Sequence, residues 1–497
     1  MLAYIKKIMN RTLTENGAVT YETTGSECLD LFATVGALRR ESDEEIVTRF
    51  VRAYAEDPDA AMKLLFFARD IRGGLGERRV FRVILRYLAL NEPASVLKNL
   101  RFVAEYGRWD DLTALLGTPC EGEMLRIVRE QFQKDMTALE TGGEVSLLGK
   151  WLPSVNASNG QTVRSAKRIA KSLALSEEGY RKALTALRKR IRIIENSLRE
   201  RDYSFDYEKQ PSKALFRYRK AFMRNDKARY TAFLRAANDG RARLHAENVA
   251  PYELVAPYLK YDWGRRARLG SFLSGMTPEE KAALNATWAA LPDYGNDENA
   301  LPVIDTSGSM YIGEPLPAAV ALSLGLYAAE HNRGAFANHF IAFSAKPRLI
   351  GLKGETFVDR LRYAASFSEV ANTDIEAVFD LILKAATEHH VKQKELPAKL
   401  IVISDMEFDC CVKNAKISNF EAAKAAYERH GYRLPQIVFW NVASRNRQQP
   451  VTKDERGVVL VSGVTPKLFE MVAGGQVSPY RFMMEILGSE RYAKISA

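Results

Sequence analysis

The segment Asp305-Thr306-Ser307-Gly308-Ser309 has a carboxylate and two hydroxyls at alternate positions, and it directly follows the uncharged segment ALPVI. The D-x-S-x-S spacing places the three oxygen donors on one side of a tight turn. Hard oxygen ligands of low total charge suit Mg²⁺, with Mn²⁺ as second choice, and they leave coordination positions for water or an external carboxylate. The segment therefore predicts a divalent-metal site.

Two further polar segments carry residues that could complete this site. Thr373 precedes a predicted helix, and Asp405 follows the apolar segment AKLIVIS and could bind directly or through water. Ligands of parallel sheets bind beyond the carboxyl ends of strands, so the three segments should meet. Helix N-capping is the alternative role; it suits Asp374 but does not explain three polar clusters at strand ends. The predicted ligands are Asp305, Ser307, Ser309, Thr373 and Asp405.

Catalytic alternatives fit these residues poorly. A phosphatase of the Asp-x-Asp type needs a carboxylate at the position of Ser307, and no Ser/His/Asp or Cys/His nucleophile system is visible. A metal-dependent nuclease would gather several carboxylates around its metal. Asp405, Glu407 and Asp409 could supply acid, but the hydroxyl-rich first segment argues against that chemistry. The chain is expected to be non-catalytic.

The elements that position the metal site form an α/β pattern. Five short apolar segments predict buried parallel strands: ALPVID, HFIAFS, AKLIVIS, QIVFWNV and GVVLVS. Helical stretches alternate with them, which predicts a doubly wound, Rossmann-like domain over residues 299–497. Residues 1–298 show apolar residues at three- and four-residue spacing with few strand signals, which predicts an all-α helical-repeat domain. LPDYGNDENA is the predicted junction.

Positive charge is concentrated in the middle of the chain. The net charge is +11, but residues 151–270 alone hold 27 Lys and Arg against 12 Asp and Glu. A local excess of this size suits a polyanion or an acidic partner.

Two series of cations within this segment recur at helical spacing. The first basic stripe is Arg181, Arg188, Arg192 and Arg199, and the second is Lys213, Arg217, Lys220, Arg224 and Lys227. Each could track phosphates, or could be a solvated face whose carboxylates come from another helix. Like charges stacked along a helix repel, so two stripes together favour nucleic acid.

Other features place the chain in a general class. No apolar run is long enough to predict a membrane span, and the N-terminal residues lack the features of a signal peptide. The four cysteines show no zinc spacing and are expected to be reduced structural thiols. The protein is expected to be cytoplasmic.

The order of the motifs along the chain resembles that of two known groups of proteins. The chain has D-x-S-x-S first, then a Thr-Asp segment, and then an Asp after a later apolar strand. This order resembles the metal-ion-dependent adhesion site of von Willebrand A (vWA) domains. Seven segments together resemble TROVE-module proteins, the Ro ribonucleoprotein group, and above all their vWA-containing relatives in bacteria, plants and viruses. These segments are TENGAVTYETTG, FVAEYGRWDDL, LLGKWLPS, YEKQPSKALFRYRKAF, IDTSGSM, NTDIEAVFDLIL and VISDMEFD. One departure is Met406, where the commonest vWA pattern has Gly after the last Asp.

The resemblance implies a HEAT-like, TROVE-type helical domain, ring-shaped in Ro proteins, joined to a vWA domain. It implies binding of small structured RNA or single-stranded RNA ends. The expected function is a non-catalytic RNA-binding protein of ribonucleoprotein or RNA quality-control type. Its metal would be Mg²⁺ or Mn²⁺, and a protein partner could supply a carboxylate to that metal. The alternative is a metal-dependent protein-interaction scaffold with no RNA role.

Overall fold

The computed structural model of the chain describes most of the sequence. The described residues are 1, 5, 8–259, 276–295, 298–313, 316–343, 346–367, 374–409, 417–473 and 477–497.

The N-terminal part is helical, as predicted. Its helices are α1 (Glu27–Phe32), α2 (Asp43–Glu56), α3 (Pro58–Arg69), α4 (Arg78–Asn91), α5 (Pro93–Asn99), α6 (Val103–Tyr106), α7 (Glu121–Glu140), α8 (Leu148–Trp151), α9 (Gly160–Ser172), α10 (Glu177–Ile191), α11 (Ile194–Glu200), α12 (Ser212–Asn225), α13 (Lys227–Asn238), α14 (Pro251–Val255) and α15 (Pro278–Ala289). Short 3₁₀ turns lie at Val35–Ala37, Leu100–Phe102, Trp109–Leu115 and Ala256–Tyr258. The start of α3 shows why the breaks fall where they do: the Asp57 side chain accepts a hydrogen bond from the Ala60 amide, and Pro58 occupies the first turn.

A β-hairpin precedes these helices and was not predicted. Strands β1 (Arg11–Leu13) and β2 (Val19–Tyr21) pair antiparallel, and Gly17 in the connecting loop adopts a φ of +83°. The dipeptide Asn16-Gly17 between β-branched residues is a strong hairpin signal. Each strand has only three residues, which is too short to give a recognisable alternating pattern.

The C-terminal part contains a six-stranded, mostly parallel sheet. Its strands are β3 (Ala300–Asp305), β4 (His339–Phe343), β5 (Arg348–Gly351), β6 (Lys399–Ser404), β7 (Gln436–Asn441) and β8 (Val458–Ser462). Their order is β5-β4-β3-β6-β7-β8, and β5 alone runs antiparallel to its neighbour. The five predicted segments form the parallel strands. The edge strand β5 was missed because Arg348 and Leu349 are exposed, so it lacks the apolar character of a buried strand.

Apolar side chains leave the sheet on both faces. Ile304, Ile403 and Trp440 pack into the core on one face, whereas Val303 and Val402 pack into the core on the other. The helices of this part are α16 (Pro317–His331), α17 (Phe357–Ala365), α18 (Ile375–Glu388), α19 (Asn419–Arg429), α20 (Leu468–Met471) and α21 (Pro479–Leu487), with 3₁₀ turns at Gly308–Tyr311, Gln393–Glu395 and Glu490–Tyr492. Helices α18 and α19 cover the second face, which gives the sheet the doubly wound layering predicted for it.

Helix α16 is apolar on almost every side because it is enclosed by protein. Thirteen of its 15 residues are buried, and it packs over β3 with α14 on its outer side. Across the described residues, no helix is both long enough and apolar enough to cross a membrane.

The helical part and the sheet share one apolar core. Gly36 lies against the backbone of Ser462 at the end of β8, where an added Cβ would approach the Ser462 carbonyl oxygen to 2.4 Å. The amide of Gly36 donates a hydrogen bond to the Ser462 hydroxyl at 2.9 Å. The cluster that includes Phe32 and Phe67 continues through Trp440 and Phe482 without interruption. The predicted boundary at residues 298 and 299 therefore separates chain segments whose cores are continuous, and it stays a prediction as a domain boundary.

Candidate metal site and basic cleft

Asp305 ends β3 as a fully buried carboxylate. Its Oδ1 accepts a hydrogen bond from the Ser307 amide at 2.8 Å, and its Oδ2 accepts one from the Ser404 hydroxyl at 2.5 Å. Burial, followed by the negative charge of Asp405, raises the pKa of Asp305 to about 7. A cation beside this carboxylate would offset both effects, because it would favour the ionised form.

The hydroxyls of Ser307 and Ser309 turn toward each other. Their Oγ atoms lie 3.0 Å apart at the start of the 3₁₀ turn Gly308–Tyr311. Neighbouring ligands of octahedral Mg²⁺ lie about 3.0 Å apart, because each is ~2.1 Å from the metal at right angles to the next. The two hydroxyls form a hydrogen bond with each other at this distance, and the same separation is compatible with two ligands of one Mg²⁺.

Asp405 reaches the same edge of the sheet from β6. Strands β3 and β6 are parallel neighbours with Ile304 opposite Ile403, so the residues that follow both strands emerge together. Asp405 is 3% exposed; its Oδ1 accepts from the Glu407 amide at 3.3 Å. Met406 adopts a φ of +68°, so the chain keeps the left-handed turn that Gly favours at this position.

The oxygen donors at this edge of the sheet are of the kind that a small hard cation binds. Two carboxylates and two hydroxyls belong to this edge, and Thr373, the fifth predicted ligand, lies outside the described residues. Within the described ranges, no three His, Cys, Asp or Glu side chains form a metal-binding group. Only two of the predicted ligands are carboxylates, so the proposed set does not require such a group. Asp374 caps α18 by accepting from the Ala377 amide at 2.8 Å, as predicted.

Three residues that the sequence did not single out lie around Asp405 and Glu407: Arg445, Glu15 and Asn446. Arg445 donates from Nη2 to Asp405 Oδ2 at 3.0 Å and pairs through Nη1 with Glu15 Oε2 at 3.1 Å. Glu407, which is buried, accepts from Asn446 at 2.8 Å. Glu15 comes from the loop of the β1–β2 hairpin, and the other two from the β7–β8 connection. No local spacing relates these segments, so only the fold could reveal the cluster.

The first basic stripe does not lie on one continuous helix. Arg192 ends α10 with a φ of +54°, and α11 begins at Ile194, so the predicted alignment of its four arginines is wrong. Arg188 is half-buried and donates to the carbonyls of Gly149 and Leu152, both at 2.9 Å. This arginine joins α10 to the α8 region, while Arg181, Arg192 and Arg199 are exposed.

The second basic stripe is exposed along most of its length. Lys213, Arg217, Lys220 and Arg224 all lie on α12, and Lys227 begins α13 after a break at Asp226.

Carboxylates from other helices neutralise only the two ends of the second stripe. Lys213 pairs with Glu253 at 2.6 Å and Lys227 with Glu279 at 2.8 Å. In the described part of the chain, no carboxylate lies within ion-pair distance of the three cations between them: Arg217, Lys220 and Arg224.

The second stripe leads into a cleft between helices of the N-terminal part and the segment Val464–Lys467, which follows β8. This cavity of about 640 Å³, called here the basic cleft, is lined by cations from segments distant in sequence: Arg39, Arg72, Arg108, Lys150, Lys213, Arg217 and Lys467. Its acidic lining residues are Glu195, Glu247 and Glu253. Its aromatic lining residues are Trp109, Trp151, Tyr218, Tyr252 and Tyr294. Cationic and aromatic side chains from distant segments therefore come together in one concave surface.

Two cations lie against one ring in the wall of the basic cleft. The Arg108 guanidinium lies 4.2 Å from the ring centre of Trp151, and the Lys150 ammonium lies 5.4 Å from it. Burial, followed by the positive charge of Arg69, lowers the pKa of Arg108. An anion bound beside Arg108 would relieve this repulsion.

Comparison with known proteins finds relatives over the whole architecture. The family described as Domain of unknown function (DUF2828) matches residues 14–130 and 122–295, and Domain of unknown function (DUF7788) matches residues 299–481. An uncharacterized protein, L728 of Acanthamoeba polyphaga mimivirus, is 28% identical over 516 residues, covering 96% of this chain and 87% of that protein. The crystal structure of the Ro (RSR) protein of Deinococcus radiodurans aligns at 13% identity over 93% of each chain with a TM-score of 0.33.

Proposed function

The chain belongs to the family described as Domain of unknown function (DUF2828), and we propose that it is a cytoplasmic, non-catalytic RNA-binding protein. The observation that carries this proposal is the basic cleft, which seven cations and five aromatic residues line together with three carboxylates. Two of these cations are already paired, Arg39 with Glu77 and Lys213 with Glu253, which leaves five cations for a ligand. The class of function is ribonucleoprotein assembly or RNA quality control, as the resemblance to TROVE-module proteins suggests.

The chemistry of the basic cleft suits single-stranded RNA. Proteins bind single strands by combining a positive groove that follows the phosphates with aromatic rings on which bases stack. Trp109, Trp151 and Tyr218 would offer stacking surfaces, while Arg108 and Lys150 would contact phosphates. Such binding tolerates many sequences, because every base has a face that can stack.

The second basic stripe extends this surface outward. Lys220, Arg224 and Lys227 line a smaller cavity of about 350 Å³ beside α12, and Lys213 and Arg217 line the basic cleft itself. A structured RNA could rest its backbone on the stripe while a single-stranded end enters the cleft. Phosphate contacts of this kind position the RNA without reading its sequence.

The sheet edge would hold Mg²⁺, or Mn²⁺, through Asp305, Ser307, Ser309, Thr373 and Asp405. Such a metal supplies a Lewis-acidic coordination position that a carboxylate from a protein partner can fill. The hydroxyl-rich donors and the two carboxylates support a docking role, as in the vWA domains that this part of the chain resembles. A reaction on RNA would call for more acid at the metal.

The test is the affinity of the full chain for a stem-loop RNA with a single-stranded 3′ tail at several salt concentrations. We expect tight binding that weakens steeply with salt, since each phosphate contact to a single strand contributes about 0.7 to the logarithmic salt slope. Reversing Arg217, Lys220 and Arg224 to Glu should lower affinity at least about tenfold and reduce the slope by ~2.

The matched control reverses Lys384, Lys392 and Arg429 to Glu, since all three are exposed residues of the sheet-bearing part and lie outside the lining of the basic cleft. Both triple variants change the net charge equally. An equal loss of affinity in both triple variants would mean that overall charge, and not the position of the stripe, determines RNA binding. Unchanged affinity in the α12 variant would overturn the assignment of the stripe.

A metal-dependent interaction scaffold without an RNA role is the second candidate function. The observation that favours it is the buried carboxylate of Asp305 beside two hydroxyls at ligand spacing. It predicts that Asp305→Ala and EDTA each abolish partner binding, whereas nuclease treatment leaves it intact. Binding that survives EDTA but not nuclease would reject this candidate.

A further inference from the structure

A protein cation already occupies the outer side of Asp405. Arg445 Nη2 lies 3.0 Å from Asp405 Oδ2, while Oδ1 of the same carboxylate accepts the Glu407 amide. The Asp405 side chain is 1% exposed, and the guanidinium pairs with the carboxylate oxygen that does not accept the Glu407 amide. A metal that binds Asp405 through Oδ2 either replaces this guanidinium or shares the oxygen with it, and in both cases the two positive charges oppose each other.

Arg445 has a second acidic partner at a similar distance. Its Nη1 lies 3.1 Å from Glu15 Oε2, in the loop of the β1–β2 hairpin. Arg445 is one-third exposed and its buried Nε has no hydrogen-bond partner, so only the two carboxylates hold this side chain among the described contacts. The guanidinium can therefore leave Asp405 and stay paired with Glu15.

Hydrogen bonds hold the segments around Arg445 together. Glu407 accepts from the amide of Glu15 at 2.9 Å and from Gln448 at 2.8 Å, which ties the hairpin, the end of β6 and the β7–β8 connection together. Arg49 of α2 donates to Ser444 at 2.9 Å in the same connection. These contacts hold the backbone around Arg445 in place, so the exchange requires only a side-chain movement.

We propose that Arg445 is a built-in competitor of the divalent cation at Asp405, and that Glu15 retains the guanidinium when the cation binds. The inference rests on the proposed metal site. With Arg445 on Asp405, the sheet edge is one charge less negative and a carboxylate oxygen is already in use. Binding of the cation thus exchanges one ion pair for another, which sets the metal affinity below that of the bare donors.

The test measures the dissociation constant of Mn²⁺ and of Mg²⁺ by calorimetry on the full chain. Arg445→Gln should bind both ions about tenfold more tightly than the natural chain, because an opposing charge beside the cation is removed. Arg447→Gln is the matched control, since Arg447 lies in the same connection but pairs with Glu45 of α2. It should stay within about twofold of the natural chain.

Glu15 is tested through a double-mutant cycle. Glu15→Gln should weaken Mn²⁺ binding about threefold in the natural chain and leave it unchanged in the Arg445→Gln background, because Glu15 acts through the arginine. Equal weakening in both backgrounds would overturn the role of Glu15 as the carboxylate that retains the guanidinium. Thermal melts of all variants check that each is folded.

The outcomes separate this inference from the function on which it rests. If the natural chain binds Mn²⁺ and Asp305→Ala does not, but Arg445→Gln binds no more tightly, the competition is overturned and the metal site stands. A gain in Arg447→Gln equal to that in Arg445→Gln would also overturn it. If neither the natural chain nor Arg445→Gln binds Mn²⁺, the metal site and the competition both fall.

Discussion

At the scale of single residues, Asp30 in α1 illustrates a carboxylate whose surroundings disfavour its charge. Its Oδ1 accepts the Thr24 amide at 2.8 Å, and its Oδ2 accepts the Thr23 hydroxyl. Burial raises the pKa of Asp30 to about 6, and these hydrogen bonds only partly offset the effect. Because the folded-state pKa lies above the unfolded value of ~3.9, this group's contribution to stability is lost as the pH rises through ~4 to 6.

We expect Asp30→Asn to stabilise the protein by about 3 kcal/mol at pH 7.5 and by only about 1 kcal/mol at pH 4.5. Asparagine keeps the acceptor for Thr24 and can donate to the Thr23 hydroxyl, so the local hydrogen bonds survive. Urea unfolding at the two pH values measures the difference. Asp43→Asn, whose side chain is 71% exposed, is the control and should show no such pH dependence. An equal change at both pH values would contradict the interpretation.

At the scale of elements, two helix ends reshape the basic region. Arg192 and Arg201 end α10 and α11 with φ values of +54° and +55°, a conformation that costs most residues ~1 kcal/mol or more. These ends turn the chain away from the straight helix that the arginine spacing suggested. The break leaves the second stripe on α12 as the longer uninterrupted row of exposed cations.

Arg192→Gly should therefore stabilise the protein by about 0.5–1 kcal/mol, since Gly adopts the left-handed conformation without strain. Lys189→Gly, one turn earlier in α10 and also exposed, should instead destabilise by ~1 kcal/mol. Thermal unfolding compares the two variants. The RNA affinity of the Arg192→Gly variant separates a role in RNA binding from a role in the helix end. If affinity falls while stability rises, this arginine contacts RNA.

At the scale of the whole molecule, the last residues of the described chain bind the helical part. Arg491 donates to Asp70 Oδ1 at 2.7 Å, and the Tyr492 hydroxyl donates to Asp70 Oδ2 at 3.1 Å. Burial alone would raise the pKa of Asp70, but hydrogen bonds from Arg491 and from the Gly73 and Arg72 amides lower it overall. The buried carboxylate thus joins segments more than 400 positions apart in sequence.

We expect Asp70→Asn to destabilise the protein by about 2–3 kcal/mol at pH 7, because the amide cannot accept from Arg491 and Tyr492 together with the backbone. The folded-state pKa is depressed, so the stability that Asp70 contributes is present above ~pH 4 and is lost as the pH falls further. Unfolding of both proteins at pH 7 and pH 3 should show the deficit shrink. Glu105→Gln removes the exposed pair with Lys494 at the same interface and should cost less than ~1 kcal/mol. A deficit that is constant with pH would contradict the assigned ionisation.

Local patterns were sufficient to predict much of this molecule from its sequence. The apolar segments that became β3, β4, β6, β7 and β8 were recognisable because both faces of each strand are buried, and α4 was recognisable because its apolar residues follow the helical period. Asp305, Ser307 and Asp405 were selected because parallel strands present their carboxyl ends at one edge. The TROVE resemblance, the RNA and the metal stay predictions.

Only the tertiary structure decided which distant side chains meet. The Arg445–Asp405 pair and its link to Glu15 depend on the β1–β2 hairpin lying over the end of β6, a contact that no local period encodes. The basic cleft likewise combines Arg108, Trp151 and Arg217 from three separate helical segments. Conversely, packing turned Arg188 inward to backbone carbonyls and removed it from the exposed surface that its spacing suggested. Periodicity specifies which face of an element is buried, whereas the partners of a charge are set by the docking of whole elements, which depends on all of their surfaces at once.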